Sequence, residues 1–217
     1  MRFERVKQLF KDDFKKIQEA RVLILGVGGV GGYALDCLYR TGVKNITIVD
    51  FDRFDETNQN RQIGADSGIG EIKVEKLAKI YKGVEPIEAK IDREWVENFD
   101  FSRFDVIIDA VDSIEAKVAL AQKNYKKLIM ALGAGKRFDS SRVEVSTIFK
   151  TDTDPFARKV RSELRKTNFK KNFTVIFSRE EPKSRELSSF VGVTGTFGLF
   201  CCSEAIKVIL KRGDNGD

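Results

Sequence analysis

The chain has no histidine, and only three cysteines, three prolines and one tryptophan among its 217 residues. Without imidazole there is no Ser–His or Cys–His nucleophile pair, no histidine acid–base step near neutral pH and no histidine-ligated metal. Cys37, Cys201 and Cys202 include no Cys-x-x-Cys pair, so a zinc ribbon and a disulfide framework are both excluded. Long hydrophobic runs are scarce as well. The longest mostly apolar stretch, Phe190 to Cys202, is too short and glycine-rich to read as a bilayer span. The opening residues, with Arg2, Glu4, Arg5, Lys7, Lys11, Asp12 and Asp13, contain no apolar signal core. These absences predict a soluble, cytoplasmic protein with no membrane partner. Its chemistry must run on carboxylates, Arg, Lys, Cys or a cofactor. The net charge of +6 leaves a polyanionic partner open without requiring one.

Apolar, β-branched runs alternate with helical periodicity through the first 132 residues. Strands are expected at Val22 to Leu25, Ile46 to Asp50, Ile87 to Ile91, Val106 to Asp109 and Leu128 to Leu132. Helices are expected at Gly29 to Thr41, Glu71 to Lys82 and Ile114 to Lys126. That alternation predicts an α/β fold: a Rossmann-like, doubly wound, mostly parallel sheet. Beyond Gly133 the pattern changes to strands at Val143 to Phe149 and Thr174 to Phe177, which should extend the sheet by antiparallel pairing. Helices follow at Asp154 to Lys166 and Phe197 to Lys211. One domain covers 1–217, with a nucleotide-binding core at 1–132, a substrate-facing extension at 133–211 and a frayed polar tail at 212–217.

The first strand runs into Gly26-Val27-Gly28-Gly29-Val30-Gly31. Glycines at this spacing let the backbone turn and approach a phosphate, while the following helix points its N-terminal N–H groups at the negative charge. Asp50 stands 19 residues past Gly31, where a carboxylate can reach a ribose hydroxyl. The glycine loop alone is also compatible with a packing turn, and the pair of features with an NAD-binding oxidoreductase or a nucleotide sensor. Asp112 has two readings. Asp112-Ser113-Ile114-Glu115 resembles a capping box, which would engage the carboxylate with helix N–H groups; a free oxygen could instead hold Mg²⁺ together with substrate phosphates. Arg61 and Lys73 taken singly are ordinary solvated cations.

Four segments occur in one order: Asp50-Phe51-Asp52, Thr57-Asn58-Gln59-Asn60-Arg61-Gln62, Gly70-Glu71-Ile72-Lys73-Val74-Glu75 and Asp109-Ala110-Val111-Asp112-Ser113. Together they resemble the ATP-binding core of the E1-like activating enzymes, an adenylating superfamily. The resemblance implies that ATP is bound by Gly26, Gly28, Gly29, Gly31, Asp50, Asp52, Asn58, Arg61, Lys73 and Asp112. Asp50 would bind the ribose, Asn58, Arg61 and Lys73 the phosphates, and Asp112 a Mg²⁺ ion, with Arg61, Lys73 and Asp112 catalytic. Arg2-Phe3-Glu4-Arg5 is similar to a segment whose second arginine, here Arg5, reaches a partner subunit's nucleotide. Adenylation of a carboxylate suits a chain without histidine, because the nucleophile is already anionic at neutral pH.

Members of the superfamily that activate ubiquitin-like sulfur carriers usually have paired Cys-x-x-Cys ligands and a reactive cysteine in a crossover loop, here about 150–190. This sequence has neither. Past Gly133 it resembles the tRNA threonylcarbamoyladenosine (t6A) dehydratases, through Ala131-Leu132-Gly133-Ala134-Gly135-Lys136, Thr153-Asp154-Pro155-Phe156-Ala157-Arg158-Lys159-Val160-Arg161, Val175-Ile176-Phe177-Ser178-Arg179-Glu180-Glu181-Pro182 and Gly195-Thr196-Phe197-Gly198. This implies ATP-dependent cyclisation of t6A37 in tRNA, a homodimer, and room for a cysteine desulfurase as a sulfur-transfer partner. The alternative is an adenylyltransferase for a ubiquitin-like sulfur carrier. The residues add their own support for tRNA: Arg158, Arg161, Arg165, Lys170 and Lys171 crowd a segment opposed only by Glu163, with Phe156, Val160 and Leu164 as its buried stripe. The cysteines read as packing residues, with a catalytic Cys202 as the minor reading. Gly192, Thr194, Gly195, Thr196 and Gly198 predict a close backbone approach, to the site rim or to a second subunit.

Overall fold

The computed structural model describes residues 2–211, so the predicted tail at 212–217 lies outside the described residues. In chain order the helices are α1 (Glu4–Phe10), α2 (Phe14–Glu19), α3 (Gly31–Thr41), α4 (Lys73–Ile80), α5 (Arg93–Asn98), α6 (Ile114–Asn124), α7 (Pro155–Lys166) and α8 (Val191–Lys211). The strands are β1 (Arg21–Leu25), β2 (Asn45–Asp50), β3 (Glu85–Glu88), β4 (Val106–Asp109), β5 (Leu128–Ala131), β6 (Val143–Thr147) and β7 (Thr174–Ser178). They form one sheet in the order β3-β2-β1-β4-β5-β7-β6.

The expected doubly wound sheet is present, with one correction in the extension. β7 pairs parallel with β5, and only β6, at the edge, runs antiparallel, against β7. The inner parallel strands β1, β4 and β5 read as apolar runs because both faces are covered, whereas the edge strand β3 is mostly exposed. Along β1, Val22 and Ile24 join a core with α2, α3, α4 and α8, while Leu23 and Leu25 join a second core with α5, α6 and α7. A single residue's step thus sends each side chain to the opposite layer.

Three helices, α1, α2 and α5, are short and were not anticipated. The last helix was anticipated six residues too short. As Val191–Lys211 it is long and apolar enough to cross a membrane, by length and composition. It lies instead across the sheet against α3, with Val193, Phe197, Cys201, Ala205 and Ile209 in the core. Packing overrides the poor helix propensity of its three glycines, Gly192, Gly195 and Gly198.

Order reverses between β1 and β4, and there the carboxyl ends of the strands open a crevice. Gly26 turns out of β1 with φ +81°. At Gly31 a Cβ would fall 1.9 Å from the Gly26 carbonyl oxygen, so only glycine allows α3 to start this close to the strand.

Candidate active site

A cavity of about 440 Å³ occupies that crevice. Its walls come from the turns after β1, β2 and β4, together with the Asn58–Gln62 turn and the start of α4. Nine of the predicted residues line it: Gly26, Gly28, Gly29, Asp50, Asp52, Asn58, Arg61, Lys73 and Asp112. Gly31 does not, and its role is the close packing just described. Arg5 is absent too. It lines a separate apolar groove with Val6, Leu9, Cys37 and Leu199, so within one chain it does not meet the nucleotide site.

Each element positions its side chain by a local device. The Asp50 carboxylate, 6% exposed, accepts the Val27 N–H at 2.8 Å and the Asp52 N–H at 2.9 Å. It thereby ties the glycine loop to the end of β2, and each oxygen retains a lone pair for a ligand hydroxyl. No side chain caps α3; the Gly32 N–H donates to the Gly28 carbonyl, and the N-terminal end of the helix is otherwise open to an anion. Asp55 and Asn58 form a capping box that fixes the following turn. Thr57 hydrogen-bonding holds the Asp55 carboxyl below the usual carboxylate range. Asn58 is buried and its amide is engaged with Asp55, which makes it a brace of the turn.

Two cations, Arg61 and Lys73, line the cavity. Arg61 Nη1 donates to the Thr57 carbonyl at 2.7 Å and to Asn60 Oδ1 at 2.8 Å. Lys73, with its side chain 6% exposed, pairs with Asp52 at 2.8 Å. At the base of α4, Glu71 is held down to about 2 by hydrogen bonds from Lys79 and Lys76.

The two readings of Asp112 separate here. Ser113, not Asp112, caps α6, accepting the Ala116 N–H at 3.3 Å. Asp112 is exposed on the cavity wall, and its carboxylate is not engaged by the helix start. Among the described residues no group of three or more His, Cys, Asp or Glu side chains could hold a metal. A cation here would therefore sit on one carboxylate and the ligand's own phosphates, the mode Mg²⁺ prefers.

Sequence reasoning missed several participants. Phe51 and Ile91 add apolar wall to the cavity, and Gln62, 8% exposed, lines it with a buried Oε1 that has no protein partner. Gln62 was visible as part of the quoted motif but carried no assigned role. Behind the wall, Asp109 and Lys117 form an ion pair at 3.1 Å with both side chains fully buried. Lys117 also donates to the Ala131 carbonyl at 2.7 Å, locking the end of β4 to the end of β5. Burial raises the Asp109 pKa, with Lys117 opposing that shift.

The other predictions are distributed as follows. Thr194 Oγ1 comes within 3.2 Å of a Cβ built at Gly29, and Gly198 abuts the Val30 carbonyl, so the small-residue stripe approaches the glycine loop. Cys201 is buried and burial pushes its thiol up to about 12, and the hydrogen bond with Cys37, then burial, raises Cys202 as well. Both are buried, in keeping with a packing role. On α7 the buried stripe is Ala157, Val160 and Leu164, with Phe156 half-buried. Arg158, Arg165, Lys170 and Lys171 are exposed; Arg161 is half-buried and donates to Thr151. Burial and then the neighbouring Arg165 and Arg158 lower the Arg161 pKa.

The ThiF family sequence profile matches residues 3–216. The chain is 39% identical over 183 residues to the tRNA threonylcarbamoyladenosine dehydratase of Bacillus subtilis (strain 168), covering 79% of this chain and 72% of that one. It is 30% identical over 245 residues to the protein of the same name from Haemophilus influenzae, covering 97% and 94%. The structure of E. coli tRNA N6-threonylcarbamoyladenosine dehydratase in complex with ATP superposes with a TM-score of 0.91 at 29% identity, covering 99% of this chain and 96% of that one. With an adenylating fold over its full described length and the glycine loop, paired cations and free aspartate around one crevice, the chain belongs to the ThiF family.

Proposed function

We propose that this protein is an ATP-dependent tRNA t6A dehydratase. The observation that carries the reading is the convergence of the open α3 N-terminus, Arg61, Lys73 and Asp112 on one cavity at the switch point of the sheet. The threonyl carboxylate of t6A37 attacks the α-phosphate of ATP; the bond to the β-phosphate breaks, and pyrophosphate leaves. The adjoining carbamoyl group then closes onto the activated acyl carbon and displaces AMP, so the nucleoside loses one water overall. The barrier to the first step is electrostatic, since an anion must approach a polyphosphate. Fixed cations stabilise that transition state without reorganising. Asp52 keeps Lys73 at the cavity mouth, and the Thr57 carbonyl does the same for Arg61. Asp112 would hold Mg²⁺, which neutralises phosphate charge when bound. Ring closure is intramolecular and gains from proximity.

The arginine stripe of α7 supplies a path for tRNA phosphates, and its contribution falls as salt rises. A homodimer, with Arg5 completing the partner's site, gives the apolar groove around Leu9 and Leu199 an occupant. The cytoplasm is where the tRNA substrate is found. A cysteine desulfurase partner would have to meet the surface, because the three thiols are buried or half-buried.

The test incubates protein, ATP, Mg²⁺ and t6A-containing tRNA, and reads the nucleoside by mass spectrometry. The expected result is loss of one water. Unchanged nucleoside, with pyrophosphate exchange stimulated by a ubiquitin-like carrier and indifferent to tRNA, would establish the sulfur-carrier alternative.

A further inference from the structure

We infer that Phe138 is a stacking platform for an unpaired base of the anticodon loop, an assignment that rests on the tRNA reading above. Phe138 is 59% exposed, although it stands in a loop that is otherwise heavily anchored. The residue before it, Arg137, is 5% exposed and makes four hydrogen bonds: to the carbonyls of Gly133, Gly135 and Glu180, and to Asp154 at 3.1 Å. Glu180 is also buried, and its Oε2 accepts the N–H of Phe138 at 3.0 Å and of Asp139 at 2.8 Å. Burying charged groups is costly unless they are paired and fully bonded. Here three of them, Arg137, Asp154 and Glu180, fix the backbone that carries one exposed ring.

The surroundings say what the ring would meet. Lys183 Nζ lies 3.8 Å from the centroid of the Phe138 ring and pairs with Glu180 at 3.5 Å. Lys183 and Arg142 also lie close enough to Asp139 to add to the effect of Ser141 in lowering its pKa. With the lysine ammonium over one face, the ring offers its other face beside a positive charge, an arrangement that suits a nucleobase attached to a phosphate better than a protein side chain, and splayed loop bases are commonly read by such rings.

Position supports the same occupant. Asp154 caps α7, accepting the Phe156 N–H, and also binds Arg137, so one carboxylate joins the arginine helix to the Phe138 loop. On the other side the Lys136 N–H donates to the Ser188 carbonyl, and the next carbonyl, Ser189, accepts from Asn60, the neighbour of Arg61. The loop that carries Phe138 is therefore tied on one side to the arginine helix and on the other to the segment that holds Asn60 beside Arg61, a placement that suits contact with the loop carrying the modified adenosine.

The test measures binding of a fluorescently labelled anticodon stem-loop RNA to the full-length protein and to Phe138→Ala, Phe138→Leu and Phe138→Trp, with sedimentation and ATP affinity as controls. Alanine and leucine should each weaken RNA binding about 10-fold, and tryptophan should restore it. ATP affinity should be unchanged. RNA binding that survives in Phe138→Ala, or full rescue by leucine, would overturn the inference while leaving the dehydratase reading intact. A change of oligomeric mass in Phe138→Ala with RNA binding unchanged would assign the ring to a subunit contact instead. A wild-type protein that neither binds the stem-loop nor dehydrates t6A would remove both readings together.

Discussion

The crevice after β1, β2 and β4 and the loop cluster after β5 both lie on the carboxyl rim of the sheet, and they handle charge in opposite ways. In the crevice, Arg61 and Asp112 are left accessible and without ion-pair partners among the described residues, and Lys73 is held to a half-exposed aspartate. In the loop cluster, Arg137, Asp154 and Glu180 are each at most 5% exposed and are engaged by protein groups. Asp50 apart, which is buried and ties the glycine loop to β2, the first region leaves its charges open to the cavity; the second uses them to fix backbone. A charged residue in a sequence is thus no guide to its role until its burial is known.

The comparison is broken most severely at Lys117, which belongs to the buried type although it sits behind the crevice. Lys117→Met leaves the buried Asp109 without its counter-ion and with only the Val111 N–H as partner, and should cost about 3–5 kcal/mol in urea unfolding. Adding Asp109→Leu should recover much of that loss, and a single variant as stable as wild type would show that the pair is not structural. Asp112→Asn probes the open type. It should lower kcat about 10²–10³-fold and leave the unfolding midpoint unchanged, because Ser113 supplies the helix cap. A matching fall in stability would return Asp112 to a capping role.

The smallest effect is expected at Glu71, a surface carboxylate at the crevice margin. Its folded pKa is depressed to about 2, so its stabilisation is complete above the ordinary carboxylate range and is lost as pH falls through about 2. Glu71→Gln should therefore melt slightly below wild type at neutral pH, and the two curves should converge near pH 2. A difference that persists at the acid end would assign the effect to something other than ionisation.

Much of this was legible in the sequence, and the remainder was hidden for identifiable reasons. β1, β2, β4 and β5 could be read because two-sided burial writes them as unbroken apolar runs. The crevice could be read because its motifs follow strand ends in a fixed order. Asp109 with Lys117, and Arg137 with Glu180, could not: the first pair meets across the turn from β4 into α6, the second through the pairing of β5 with β7, and nothing local marks any member as buried. The first turns of α8 were hidden by glycines whose helical state depends on α3. The parallel pairing of β7 was hidden because the strand reads alike in either direction.

The margin of the sheet at β3 has a consequence outside catalysis. Its four residues include two glutamates and Pro86, which has no N–H to offer. A foreign strand laid alongside would find a gap in the ladder and like-charged neighbours if it were acidic. Crowded nascent chains are thus denied a template for cross-β growth from that side.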